Sequence, residues 1–280
     1  MFKKAIGVWI IILSMILSVI HVHAVDTQSS SEEAAGEICD ENESEDVKSE
    51  CKVPILVYHN IMDNYCTSQS SVQISPKEFE THMLSLDQAG YHTITFQQYN
   101  DYVTRGQELP DNPIILTFDD GYSSNYEYAY PVLKKYNMKA TIFVLTGRMG
   151  AVDEVTYPHF TWEEAREMQQ SGVIDIQSHS DLHPDMTKVE IGRAQLELRR
   201  SRYLIRKELQ KPCEVFAYPY GLYNSDLQEL AEKAGYKIQV IVGDQGVNTR
   251  KEGLKQLKRL TAFGGTSGEE LLAMIEENMQ

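Results

Sequence analysis

The stretch Pro113-Ile114-Ile115-Leu116-Thr117-Phe118-Asp119-Asp120-Gly121 joins an unbroken apolar run to two adjacent carboxylates and a glycine. A short apolar run closed by a turn signal reads as a strand buried on both faces, the pattern of a parallel sheet covered by helices. Asp-Gly would end such a strand as an ordinary turn. Two neighbouring carboxylates resist joint ionisation, however, unless a cation or unequal surroundings separate them. Asp119 and Asp120 therefore need an explanation from the rest of the chain.

Outward from this strand the pattern alternates. Val53 to Tyr58, Tyr91 to Thr95, Ala140 to Leu145, Val173 to Gln177, Glu214 to Tyr218 and Tyr236 to Val242 read as further strands. Between them lie helical stretches. Ser75-Pro76-Lys77-Glu78 opens one with a cap, a first-turn proline and a glutamate three residues on, and Phe79, Met83 and Leu86 mark its apolar stripe. Thr161-Trp162-Glu163-Glu164 and Ser267 with Glu270 open two more in the same way. The others run over 96–104, 124–136, 187–210 and 225–234, with Pro131 predicting a kink or split in the second. Roughly seven strand-helix units without linker or repeat imply parallel strands under helices. An open sheet and a closed or imperfect barrel share this local signature.

The polar residues fall at strand ends, where folds of this kind assemble their sites. His59 ends the first strand and Asp119-Asp120 the third. Ser178-His179-Ser180-Asp181-Leu182-His183 follows the Val173 to Gln177 strand, and Tyr218-Pro219-Tyr220-Gly221 follows the next. His179 and His183 are four apart, which brings two imidazoles together on a helix face or in a tight turn closed by Pro184. Two imidazoles and a carboxylate make a good set for a divalent metal, zinc first, with cobalt, nickel and iron also suited to nitrogen and oxygen ligands. Neighbouring aspartates at a strand end point in different directions. One can bind the metal while the other takes a proton from water. The chemistry implied is metal-assisted hydrolysis of an acyl group.

Residues 1–24 begin Met-Phe-Lys-Lys and run apolar from Ala5 to Ile20, which reads as an export signal or an uncleaved membrane anchor. Residues 25–50 read as an acidic disordered stem. Ten acids against one lysine there carry nine of the fifteen net negative charges of the chain. Residues 51–280 form the folded domain. Nothing in it provides the basic footprint of a nucleic-acid binder. Cys39, Cys51, Cys66 and Cys213 allow three full disulfide pairings, and the sequence does not choose among them. A monomer is the default, and the chain is expected to be secreted or held at the cell surface.

Four stretches resemble the polysaccharide deacetylase family, also called the NodB-homology or carbohydrate esterase 4 family. They are Pro54-Ile55-Leu56-Val57-Tyr58-His59-Asn60-Ile61, Thr117-Phe118-Asp119-Asp120-Gly121, Ser178-His179-Ser180-Asp181-Leu182-His183-Pro184 and Phe216-Ala217-Tyr218-Pro219-Tyr220-Gly221. The resemblance implies a distorted (β/α)7 barrel. It implies Asp119 as general base, Asp120, His179 and His183 as metal ligands, and the Tyr220 N–H as an oxyanion donor. It also implies an N-acetylated glycan polymer as substrate. Tyr218, Pro219 and Tyr220 would border the substrate. An O-acetyl esterase and a weakly active carbohydrate-binding protein are the alternatives. Two departures stand out. Many members place an arginine against the base from the fourth motif, where this chain has Phe216 and Ala217. Many also carry a late Leu-x-x-His, whereas no histidine follows His183 and the region reads Leu257-Lys258-Arg259-Leu260-Thr261. The early Tyr58-His59 resembles the branch acting on poly-N-acetylglucosamine, and assigns His59 a proton-donating or orienting role.

Overall fold

The computed structural model describes residues 50–63, 67–152 and 157–280. The segment read as an export signal or anchor, almost all of the stretch read as an acidic stem, Cys39 and Cys66 lie outside the described residues. Strand β1 (Ile55–Tyr58) opens the fold, and the short β2 (Asn60–Ile61) and β3 (Gln73–Ile74) pair in parallel beside it. Helix α1 (Pro76–Gln88) starts on the expected capping box and buries Phe79, Met83 and Leu86. Strand β4 (His92–Thr93), helix α2 (Phe96–Arg105) and strand β5 (Pro113–Phe118) follow. A π-helical turn (Asn125–Ala129) then runs into α3 (Tyr130–Lys135). The split predicted at Pro131 is observed there: the proline sits in the first turn of α3, where its missing N–H removes no intrahelical bond.

The remaining elements are β6 (Ala140–Val144), α4 (Trp162–Gln170), β7 (Ile174–Ser178), α5 (Ile191–Leu209), β8 (Val215–Ala217), α6 (Ser225–Ala234), β9 (Ile238–Val240), β10 (Leu260–Thr261) and α7 (Gly268–Met279). The main sheet is parallel, in the order β10-β1-β5-β6-β7-β8-β9. Its two edges are tied through the segment before β10, where Leu257 N–H donates to Gln239 O and Ile241 N–H to Leu257 O. The result is a curled, imperfectly closed (β/α) barrel of seven staves. One of the seven predicted strands is not a stave: β4 is a two-residue strand off that path, paired with the start of β5. The seventh stave is β10, which is too short and too polar in its approach (Lys255, Gln256, Lys258, Arg259) to read as a strand.

Alternation along the strands separates two cores. Leu56, Leu116, Phe118, Ile142 and Ile176 pack with Phe79, Leu133, Met168, Leu198 and Leu271 of the surrounding helices. Ile55, Ile115, Phe143, Ala217 and Val240 face the other way and pack with Phe96, Tyr99 and Tyr102 of α2. The second face is the inside of the curl, and its alternation delivers polar side chains to one rim. Among the described residues Cys51 and Cys213 are free thiols, and Cys213 is buried.

Candidate active site

On β5, Ile115 points into the curl, so Thr117 and Asp119 point there too. Asp119 is buried, and its N–H donates to Tyr58 O at 3.0 Å. The chain then turns sharply: Asp120 takes φ 73° and Gly121 φ 78°. A side chain at Gly121 would meet Val144 Cγ1 at 3.0 Å, so the turn needs glycine there. The turn gives the two carboxylates unequal surroundings, which answers the question their adjacency poses.

The same alternation carries His179 inward from β7, in phase with Asp175 and Gln177. His179 Nδ1 lies 2.8 Å from Ala217 O, which fixes the proton on Nδ1 and leaves Nε2 as a lone-pair donor. The histidine stretch is not helical. Ser180 (φ 76°) and His183 (φ 59°) are both left-handed, and they fold His183 back onto His179 with Nε2 to Nε2 at 3.2 Å. Asp120 Oδ1 lies 3.7 Å from each of these nitrogens. The three donor atoms fall within 4.8 Å of one another, a spacing and donor set that fit one divalent cation. Burial, helped by His179, pushes the His183 imidazole down to about 4, so it is in the neutral, ligating form at physiological pH.

Arg259 closes the other side. It is fully buried, on the residue just before β10, and its guanidinium lies over the Phe143 ring. Nη1 and Nη2 each donate to one oxygen of Asp119 at 2.7 Å, Nη1 also reaches Thr117 Oγ1 at 3.2 Å, and Nε donates to Ile241 O at 2.9 Å. Burial by itself would raise the Asp119 carboxyl, but the Arg259 charge and fork, with His179 and His59, hold it well below the usual carboxylate range. The arginine absent from the fourth motif is thus replaced from the segment leading into β10; Ala217 and Phe216 are buried in the two cores. The signal in the sequence was a lone arginine two residues after Leu257 in an inward-facing phase, which only the β10 pairing makes readable.

His59 sits beside this pair, with Nε2 at 4.0 Å from Asp119 Oδ2. Its carbonyl accepts from Asn125 Nδ2 at 2.8 Å, so the π-helical turn anchors it. Burial lowers its imidazole from the ordinary histidine value, partly offset by Asp119 and Asp120.

The fourth motif divides. Tyr220 is exposed, left-handed at φ 60°, and packs edge-on against His183 with ring centroids 4.4 Å apart. Among the described residues its N–H has no acceptor, while the next two amides are used by Tyr218 O and Pro219 O. Gly221 follows with Val242 O where a Cβ would stand, 2.0 Å away. Tyr218 does not border the substrate as expected. It is fully buried and donates to Gln239 Oε1 at 2.5 Å, because the inward-outward phase of β8 turns it into the helix-side core. Pro219 is buried as well and fixes the turn. An open cleft of about 390 Å³ leads to the centre, lined by Asp120, His183, Tyr220, Leu145, Tyr122, Tyr157 and His159. Tyr157 and His159 had no motif to reveal them.

A fold of this kind with an Asp-Asp turn and a His-x-x-x-His loop at one rim defines the class. The family model for polysaccharide deacetylase matches residues 106–239, and the chain belongs to that family. It is 36% identical over 225 residues to the Bacillus subtilis protein YxkH, which carries a polysaccharide deacetylase name, covering 80% of this chain and 76% of that one. It is 30% identical over 182 residues to the poly-beta-1,6-N-acetyl-D-glucosamine N-deacetylase of Staphylococcus aureus, covering 62% and 60%. Among solved structures, the Streptococcus pyogenes deacetylase PplD in complex with acetate superposes with TM-score 0.72 at 27% identity, over 81% of this chain and 99% of that one. IcaB from Ammonifex degensii superposes with TM-score 0.69 at 26% identity, over 80% and 96%.

Proposed function

We propose that this protein is a divalent-metal-dependent hydrolase that removes N-acetyl groups from an N-acetylglucosamine polysaccharide outside the cell. The observation that carries the reading is a buried, arginine-clamped Asp119 beside a separate cluster of Asp120, His179 and His183. Asp119 is thereby left out of the ligand set and available to take a proton. Asp120, His179 and His183 would hold the metal, with zinc favoured by the donor set, and it would supply polarisation of the acetyl carbonyl and a more acidic water.

The chain's own groups do the rest. Asp119 accepts the proton of the attacking water as its oxygen bonds to the acetyl carbon. Arg259 keeps that carboxylate ionised and fixes both oxygens, so it passes the proton on readily. The Tyr220 N–H is an oxyanion donor for the developing negative oxygen. The proton that Asp119 has taken passes across the 4.0 Å gap to His59, whose buried imidazole is neutral at rest, and His59 delivers it to the amine nitrogen as the C–N bond breaks. Acetate and a free amine are the products. An amide nitrogen leaves poorly without that proton, which makes His59 the replacement for the late histidine this chain lacks. The exposed Tyr220 ring and Tyr122 offer faces to a sugar ring. The basic, apolar N-terminus and acidic stem favour work at the cell surface or beyond it.

The test is acetate release by the full chain, stripped of metal and then reloaded with zinc or cobalt. Poly-β-1,6-N-acetylglucosamine, peptidoglycan and O-acetylated xylan are compared. Release from an N-acetyl polymer that depends on reloading is the expected result. Release from the O-acetyl substrate alone would replace the amidase reading with an esterase.

A further inference from the structure

Five successive amides run through the loop that carries both histidines. His179 N–H donates to Val144 O at 3.0 Å, Ser180 N–H to Ser178 Oγ at 3.3 Å, and His183 N–H to Ser180 Oγ at 3.0 Å. The third and fourth, Asp181 N–H and Leu182 N–H, both donate to one atom, Oε2 of Glu197, each at 2.8 Å. Glu197 lies on α5, 16 residues beyond Asp181, and is 1% exposed. Its other oxygen accepts from Arg193 Nη2, one turn earlier on the same helix, at 2.5 Å. A buried carboxylate is retained only where it is paired and hydrogen-bonded, and here its acceptor capacity is divided between a surface cation and the loop backbone.

The loop needs this hold. Ser180 and His183, on either side of the two amides, both occupy the left-handed region that residues other than glycine avoid. Such backbone persists only where the surroundings over-determine it. The outer wall contributes as well: Thr146 Oγ1 donates to Asp181 Oδ1 at 2.7 Å, Arg200 reaches Asp181 Oδ2 at 3.3 Å, and Gly147 N–H donates to Asp181 O at 2.9 Å. Those bonds fix Asp181 as a side chain and a carbonyl. Among the described residues, Glu197 alone accepts from the consecutive Asp181 and Leu182 amides.

We propose that Glu197 is a positioning residue for the metal centre: through the Asp181 and Leu182 amides it locks the left-handed loop in which His179 and His183 converge. The inference rests on the metal-site reading given above, and it adds a residue that touches neither metal nor substrate. Because both amides use one oxygen, a glutamine can supply that acceptor, while Arg193, on the surface, swings away into water. An aspartate keeps the charge and falls one methylene short.

The test uses the full chain as wild type, Glu197→Ala, Glu197→Gln and Glu197→Asp, with zinc affinity read by chelator competition and loop protection by amide hydrogen exchange. Removing an outer partner of a metal ligand set costs about 10–100-fold in affinity, and that loss is expected for alanine, with faster exchange confined to residues 179–183. Glutamine is expected to stay within about threefold of wild type and aspartate to resemble alanine, by the same geometry. A folded alanine variant with wild-type zinc affinity and wild-type loop exchange overturns the proposal. Should the alanine variant not fold, the other two decide: glutamine weaker than aspartate overturns it. Should wild type bind no zinc, the metal reading itself falls, and unchanged loop exchange in glutamine and aspartate alike would overturn the positioning role separately.

Discussion

The end of β5 and the loop after β7 bring their side chains to one centre by opposite means. Asp119 is held by Arg259, 140 residues away in the chain, on the residue that leads into the last stave of the barrel. His179 and His183 are held within a five-residue turn and by a helix that follows it directly. The first region depends on the barrel being assembled; the second is largely local. The consequence is a division of duty. The β7 loop leans on its immediate neighbours in the sheet, through Val144 O and Ala217 O, whereas the Asp119 carboxylate is held ionised and oriented only when the segment leading into β10 is docked beside β1.

The most disruptive way to probe that division is Arg259→Met. It strands a buried carboxylate, and breaking a buried pair in this way costs about 3–5 kcal/mol. Denaturant unfolding should show the loss, and acetate release should collapse with it. The pH dependence carries the sign. The depressed Asp119 carboxyl stabilises the wild-type fold above its unfolded value of about 3.9, and that contribution is lost as pH falls. Without Arg259, burial dominates and raises the carboxyl, so the deficit of the variant should shrink on acidification. A variant whose deficit is independent of pH would break the account of the clamp.

His59→Ala comes next. It leaves the metal ligands and Arg259 in place, so zinc affinity should hold while kcat falls about 10²–10⁴-fold, the usual worth of a positioned acid or base. Equal loss on an activated ester, whose leaving group needs no proton, would contradict the donor role.

Zinc affinity as a function of pH sharpens the local half of the comparison. With His183 down at about 4, affinity should be nearly flat from about pH 7 to 5 and drop on further acidification as the imidazole takes a proton. The metal-free fold should lose stability over the window from about 6.5 toward 4, because the unfolded histidine holds a proton that the folded one refuses. Affinity that falls steeply between pH 7 and 6 would show an ordinary, solvated histidine.

The smallest effect is expected from Tyr218→Phe. It leaves Gln239 Oε1 without its donor and should cost about 1–3 kcal/mol of stability, with kcat and KM unchanged. A selective change in KM would return Tyr218 to the substrate-binding wall.

These contrasts follow what the sequence made legible. The strands and capping boxes could be read because apolar runs and Ser/Thr caps act over a few residues. The Asp-Asp turn and the histidine pair could be read because their spacing is local and their positions at strand ends are a property of the fold class. Arg259 stood in plain view as part of Leu257-Lys258-Arg259-Leu260-Thr261, but its meaning depends on a parallel pairing between β10 and β1 that no short-range pattern encodes. Tyr218 was misplaced for a related reason. Adjacent residues at a strand end face opposite sides, and the motif alone does not fix which side is the cleft. Glu197 carries no motif, and only its burial against the Asp181 and Leu182 amides sets it apart from the other charges of α5.

The central claim is that Asp119 takes the proton while Asp120, His179 and His183 hold the metal. Asp119→Asn in the full chain tests it, with zinc affinity and acetate release from poly-β-1,6-N-acetylglucosamine measured on the same sample. Zinc affinity close to wild type with release reduced at least about 10²-fold is the expected result. Undiminished release would remove Asp119 from the chemistry, and loss of zinc binding in the folded variant would make it a ligand rather than the base.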